Sequence, residues 1–365
     1  MKQRGAAIML LAMTASASAA DMADNFDVPA LDIARWSKAQ IRDDQIEFLP
    51  EARCGAGAIQ ISTSDGDQGL ACDIKGCQRA ELRTSVTYRS NYGDEAWYAF
   101  SFKVDADVPA TGSLRTVISQ WKAPNDESPF LAQRFDNGVF HITVQDGEKS
   151  RRTVASAEGD PEALDTAQDY LATLDPRDDR AVSVAQSIQT LQQLRHDQPQ
   201  FGLFSQQMTG ALDSTDGEAP DARALSDALG LKDGGLLSAV RTLAYASDLP
   251  EYLGPSGITI THDSTKPLPD PRKDWVDMIY RIRTGRPDNT FGRVGEGEID
   301  IWANGEKIAT VRGSIGARLT APVDLRGYFK FGIYRKPIPG IFKFQFDEYS
   351  QASTKAGLAK LCPRA

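Results

Sequence analysis

Gly327-Tyr328-Phe329-Lys330-Phe331-Gly332-Ile333-Tyr334-Arg335 reads as a β-strand with two unlike faces. Its aromatic and β-branched content suits a pleated surface, and side chains on a strand alternate. Phe329, Phe331 and Ile333 therefore share an apolar side, while Tyr328, Lys330, Gly332 and Tyr334 line the other. That other side carries two phenols, an ammonium and a gap. A glycine between Lys330 and Tyr334 would let a bulky ligand approach the backbone, as on the floor of a polysaccharide groove.

Similar character recurs along the chain. Segments 58–62, 79–88, 95–104, 115–121, 138–145, 257–262, 275–283, 296–303, 307–312 and 341–349 read as strands divided by Gly, Asp, Asn and Pro clusters. Asn304-Gly305 is a strong hairpin-turn signal. Short strands at short intervals predict a mainly β chain folded as a concanavalin-like jelly-roll sandwich. Segments 161–174, 179–195, 221–229 and 235–247 have helical spacing and acidic or Ser/Asp starts. This block, about residues 153–255, is too long for an ordinary loop. It is read as a helical insertion into one β-domain spanning 20–365.

Residues 1–19 place Lys2 and Arg4 before an apolar run and end in Ala17-Ser18-Ala19, the pattern of a bacterial secretory signal. The expectation is a periplasmic or secreted protein. Losing Lys2 and Arg4 with the leader takes the formal charge from −9 to −11. So acidic a chain argues against a general nucleic-acid or membrane-surface binder. Positive charge for an anionic partner must be gathered locally. Cys54, Cys72, Cys77 and Cys362 suggest two disulfides in an exported chain, with Cys72–Cys77 and Cys54–Cys362 favoured among three pairings. A zinc site has no support, because His141, His196 and His262 are the only histidines and none is near a cysteine in sequence.

Several constellations could carry chemistry. On a strand, Arg79, Glu81 and Arg83 share a face, where two guanidiniums could hold a sugar carboxylate while Glu81 fixes their rotamers. A surface ion-pair ladder would look the same. Gln120 and Lys122 lie opposite Trp121 and could add an amide donor and a charge. Asp277, Ile279, Arg281 and Arg283 share one side of the 275–283 strand, giving Arg281 and Arg283 a place in a basic wall or on a plain outer surface. Glu296, Glu298 and Asp300 are in register, as paired acids of a glycosidase or ligands of a cation would be. His141, among strand residues, is a candidate base.

Gln-Arg-Ala-Glu-Leu-Arg at 78–83, Gln-Trp at 120–121 and Tyr-Phe-Lys-Phe-Gly-Ile-Tyr at 328–334 together resemble the jelly-roll polysaccharide lyases, namely the alginate lyases, glucuronan lyases and heparin lyase I. The likeness covers residues 50–145 and 270–350 and leaves out the helical insertion. It implies that Tyr334 is the catalytic tyrosine with Lys330 beside it, and that Arg79 and Gln120 are the motif arginine and glutamine. These lyases commonly carry a histidine two residues after the glutamine, where this chain has Lys122. His141, from a neighbouring strand, is the candidate to replace it.

The implied chemistry is β-elimination. The C5 proton of a uronate is weakly acidic, so its carboxylate must be neutralised as an enolate-like intermediate forms. Arg79 and Gln120 suit that task. A base takes the C5 proton and an acid protonates O4. A free tyrosine titrates near about 10, so Tyr334 needs cations such as Lys330 or Arg335 to favour its phenolate. Arg83, Glu81, Lys122, Arg281, Arg283, Tyr328 and Arg335 are expected around an anionic polysaccharide, with glucuronan the first candidate. No cofactor or metal is required, though a structural calcium ion is compatible, and a monomer is expected. A glycoside hydrolase using Glu296, Glu298 or Asp300, or a non-catalytic carbohydrate-binding protein, are the alternatives.

Overall fold

In a computed structural model the quoted stretch forms a strand within one of two antiparallel sheets. The structure describes residues 21–64, 66–67, 77–104, 115–123, 128–136, 138–147, 150–158, 161–175, 177, 251–286, 295–316 and 326–363. Its strands are β1 (Met22–Asp24), β2 (Trp36–Gln40), β3 (Ile46–Leu49), β4 (Ala58–Thr63), β5 (Gln78–Thr84), β6 (Ser90–Asn91), β7 (Glu95–Val104), β8 (Arg115–Lys122) and β9 (Leu131–Asp136). They continue with β10 (Val139–Gln145), β11 (Arg151–Ser156), β12 (Ile258–His262), β13 (Val276–Arg283), β14 (Gly297–Ala303), β15 (Glu306–Gly313), β16 (Arg326–Arg335) and β17 (Phe342–Ala352). One sheet runs β12, β15, β14, β13, β7, β17, β4, β3, with β1 on β17. The other runs β11, β10, β9, β8, β16, β5, β2, with β6 on β16. This is the β-sandwich expected of a jelly roll.

Alternation explains how the sheets close on each other. Phe329, Phe331 and Ile333 of β16 are fully buried and face aromatic side chains of the first sheet. Ring centroids of Phe331 and Phe346 lie 4.3 Å apart, and those of Trp121 and Tyr280 lie 4.6 Å apart. Each such ring removed from water stabilises the fold by roughly 1.5–3 kcal/mol. The Tyr280 hydroxyl is satisfied in this core by the Gln133 amide at 2.7 Å. Asn304 and Gly305, both at positive φ, make the tight turn between β14 and β15.

Gly332 has a different job from the one read in the sequence. Its φ is +128°, and an added Cβ would meet Ala80 O at 2.1 Å. The missing side chain points into neighbouring β5 rather than toward a ligand. A register shift against β8 follows between Phe331 and Tyr334.

Strand β11 carries β-structure to Ser156, so the helical character begins later than residue 153. The first helix, α1, covers Pro161–Ala172. The expected helices at 179–195, 221–229 and 235–247 lie outside the described residues. Strands β11 and β12 end their respective sheets, and α1 is tied to both. Gln168 accepts from Thr153 N at 2.6 Å and donates to Thr153 O at 2.9 Å, standing in for a further strand. Asp165 pairs with His262 Nε2 of β12 at 3.0 Å. Among the described residues no helix is long and apolar enough to cross a membrane.

Cys54 and Cys362 form a disulfide across 308 residues, with Cα atoms 6.1 Å apart. Cys77 is also disulfide-bonded; its expected partner, Cys72, lies outside the described residues.

Candidate active site

Strand β16 is flanked by β5 and β8, and their register decides which side chains meet. Tyr334 pairs with Arg79, Gly332 with Glu81 and Lys330 with Arg83 on one flank. Lys330 pairs with Gln120 and Tyr328 with Lys122 on the other. Paired residues share a face, so three short motifs far apart in sequence assemble on the outer face of one sheet.

Glu81 is the centre of this assembly. Its Oε1 accepts from Gln120 Nε2, while Oε2 lies 3.3 Å from Arg79 Nε and 3.5 Å from Lys330 Nζ. Lys330 Nζ also donates to Gln40 Oε1 at 2.6 Å. Arg79, Glu81, Gln120 and Lys330 are all buried. Burial pushes the Lys330 ammonium below its ordinary value; Glu81 opposes that shift, whereas Arg79, Lys122 and Arg83 add to it. The Arg79 guanidinium lies 4.1 Å from the Tyr334 ring centre, and Tyr334 keeps partial exposure. Tyr328 stands among three cations, Arg83 at 5.3 Å, Arg89 at 5.2 Å and Lys330 at 5.8 Å from its ring centre. Burial is the main cause raising the Tyr328 phenol above its usual value.

Other expected members lie elsewhere. Arg335 follows Tyr334 and so points the opposite way, buried against the Gln78 side chain and Gly340 O. Arg79 supplies the cation beside Tyr334 instead. His141 shares a cross-strand row with Tyr334, through Arg134 and Val117. Three strand spacings, about 14 Å, separate them. The imidazole is fully buried, 3.3 Å from Asp136 Oδ2 and 3.2 Å from Val139 O, so it does not reach a sugar at Tyr334.

Arg281 and Arg283 belong to β13 in the other sheet. Arg281 is bound to Glu95 at 2.7 Å, to Asp300 at 2.8 Å and to Glu298. Arg283 lies between Glu95 and Glu298 in the ladder. Arg281 is held in a closed ion network on the sheet opposite Tyr334, and Arg283 is its neighbour along β13. Hydrogen bonds from Arg281 and Arg312 hold the Glu298 carboxyl below its usual value. For Asp300, burial acts upward but hydrogen bonds from Arg281, Thr310 and Lys307 prevail, and its carboxyl is also held low. A glycosidase acid needs the opposite shift. Glu296 is exposed beside this network, so the hydrolase arrangement finds no support.

Gln40, Arg89 and Arg134 escaped the sequence reading. Gln40 ends a strand whose Trp36-Ser37-Lys38-Ala39-Gln40 sequence has weak alternation, and Arg89 follows a short helical turn at Val86–Tyr88. Arg134 lies on β9, buried throughout, where no polar alternation is visible.

The β-sandwich thus carries, on one outer face, a cluster of basic side chains beside a tyrosine. The polysaccharide lyase family model matches residues 29–354, and the chain belongs to that family. It is therefore an enzyme, a lyase acting on polysaccharide. Similar solved structures include the alginate lyase AlgAT5 from polysaccharide lyase family 7, at 10% identity and TM-score 0.39 over 88% of this chain and 95% of that one. The alginate lyase from Klebsiella pneumoniae has 11% identity and TM-score 0.39 over 91% and 100%. Cellulose induced protein Cip1 has 11% identity and TM-score 0.41 over 91% and 97%. No curated protein matches the chain.

Proposed function

We propose that the protein is an exported lyase that cleaves a uronic-acid polysaccharide by β-elimination, with glucuronan its first candidate substrate. The observation that carries this reading is the convergence of Arg79, Gln120 and Lys330 on one carboxylate, Glu81, next to Tyr334. Donors that hold a protein carboxylate are of the kind needed to hold a substrate carboxylate. In this reading the Tyr334 phenolate takes the C5 proton of the uronate. The C5–H electron pair passes into the carboxylate system, where Arg79 and Gln120 stabilise the enolate. That pair then forms the C4–C5 double bond as C4–O4 breaks, and O4 receives the proton from Tyr334 Oη. Atoms and charge balance without a cofactor.

Glucuronan is favoured by the resemblance of the Tyr-Phe-Lys-Phe-Gly-Ile-Tyr stretch. Export is supported by the leader pattern of residues 1–19 and by the Cys54–Cys362 disulfide. The test is ultraviolet absorbance of the mature protein with glucuronan, alginate, pectate, hyaluronan and heparin, beside Tyr334→Phe. Absorbance rising with glucuronan and lost in the variant is the expected result. A flat trace with all five polymers would overturn β-elimination, and a response to another polymer alone would replace glucuronan.

A further inference from the structure

Tyr334 borders a recess that the β-elimination steps leave unused. About 220 Å³ of empty space lies among Cys77, Arg115, Tyr334, Arg335 and Lys336. Register explains why these five meet. Tyr334 faces Val117 on β8 and Arg79 on β5, and Arg335 faces Thr116 and Gln78. One step further, Lys336 falls between Arg115 and Cys77, and alternation returns it to the face of Tyr334. Two cations therefore continue the outer face past the phenol, in a row two residues, about 7 Å, beyond its own.

Both cations are open to solvent, unlike the donors gathered around Glu81. Arg115 is half-buried and Lys336 exposed, whereas Arg79, Gln120 and Lys330 are buried. Among the described residues no carboxylate lines the recess. The acid in register with Arg115, Asp136, is buried and lies 3.3 Å from His141 Nε2. Arg335 is turned inward, engaged by the Gln78 side chain and Gly340 O. Cys77, buried and disulfide-bonded, forms the β5 end of the wall. A space of this size and charge suits an anionic substituent of a sugar rather than a further length of chain.

We propose that Arg115 and Lys336 form a second carboxylate subsite, which takes the uronate adjoining the one being cleaved and selects polymers with consecutive uronates. The proposal rests on the β-elimination reading, with the reacting sugar at Tyr334. A substrate carboxylate held by Arg79 and Gln120 leaves one adjoining ring on the far side of Tyr334, where the recess opens. In glucuronan, alginate and pectate that ring carries its own carboxylate. In hyaluronan and heparin an amino sugar stands there instead. A guanidinium beside an ammonium offers such a carboxylate a two-pronged donor and a point charge.

The experiment measures kcat and KM by ultraviolet absorbance for the mature protein, Lys336→Gln, Lys336→Arg and Arg115→Gln, on whichever of glucuronan, alginate and pectate gives a signal. Lys336 is exposed, so its replacement tests the charge without threatening the fold. Each glutamine variant should raise KM about five- to tenfold with kcat within about twofold of the parent, because the lost contact serves ground and transition states alike. Lys336→Arg keeps the charge and should stay near the parent. On the same polymer with about half of its carboxylates reduced to alcohols, the gap in kcat/KM between parent and Lys336→Gln should narrow by about half, since fewer adjoining rings then offer a charge. An unchanged KM in both glutamine variants, or a gap of the same size on the reduced polymer, would overturn the subsite and leave β-elimination standing. A signal with hyaluronan or heparin alone would do the same. No absorbance with any polymer would overturn the β-elimination reading itself and the proposal with it.

Discussion

The two sheets carry similar charged side chains on their outer faces and use them differently. Around Tyr334, Arg79, Arg83, Lys122 and Lys330 gather about a single acid, Glu81. On the other sheet Arg281 is surrounded by Glu95, Glu298 and Asp300, with Arg312 and Lys307 completing the network. The first face sets four cations around one acid, two of them, Arg83 and Lys122, half-exposed. On the second, Arg281, Arg312 and Lys307 each lie within ion-pair distance of a carboxylate.

Replacing residues on each face tests this contrast. Tyr334→Phe should have the largest effect, lowering turnover by roughly a hundred- to ten-thousand-fold, with unchanged melting temperature. Arg79→Ala should follow, at roughly a hundred- to thousand-fold, read as kcat of ultraviolet product formation. If either variant retained most of its activity, the β5–β16 face would not be the reacting one.

How much of this could be read in advance depended on where partners lie. The Tyr328–Tyr334 alternation and the Arg79–Glu81–Arg83 row are properties of single strands, and the structure places them on the shared face that periodicity implies. Arg281 also looked like a groove-wall residue and Glu298 like a glycosidase acid, because a strand does not declare which sheet it joins. Their neutralisation depends on cross-strand register. Gly332 was legible as a special position but not in its purpose, since the obstacle is Ala80 O on another strand. His141 was legible as a strand histidine. Its distance from Tyr334 comes from sheet order, set by long-range packing rather than local pattern.

Glu81→Gln sharpens the comparison from inside the first face. The shape is nearly kept, but Arg79 and Lys330 lose the carboxylate between them. Breaking a buried pair in this way costs on the order of 3–5 kcal/mol, measurable by denaturant titration. Turnover should fall about tenfold, equivalent to ~1.4 kcal/mol in the barrier, with KM nearly unchanged. A fall in KM alone would mean that Glu81 only competes with substrate for Gln120 and Arg79. Arg281→Ala is the counterpart on the second face. It should lower stability by on the order of 1–3 kcal/mol and leave turnover as it was; a loss of turnover would break the contrast.

The smallest effect on catalysis, and the one most confined to the sheet of Arg281, concerns Asp347 of β17. Its side chain is fully buried, and burial pushes its carboxyl up to about 7, with Glu348 adding to the shift and backbone N–H groups of Cys54, Glu348 and Arg53 opposing it. A carboxyl whose folded value exceeds its unfolded value binds its proton more tightly in the native protein. Its protonated form therefore favours folding, and this contribution falls as pH rises from about 4 to about 7. Glu298 and Asp300 are held low, so their contribution is present at neutral pH and is lost on acidification below the ordinary carboxylate range. Together these groups predict greater stability near pH 5 than near pH 8, followed by a decline in stronger acid. Asp347→Asn should flatten the upper limb and spare the acid one, as read by denaturation midpoints across that range. An unaltered upper limb in the variant would assign that slope to other groups, while turnover, under the proposed placement of the site on the opposite face, should be the same in both proteins.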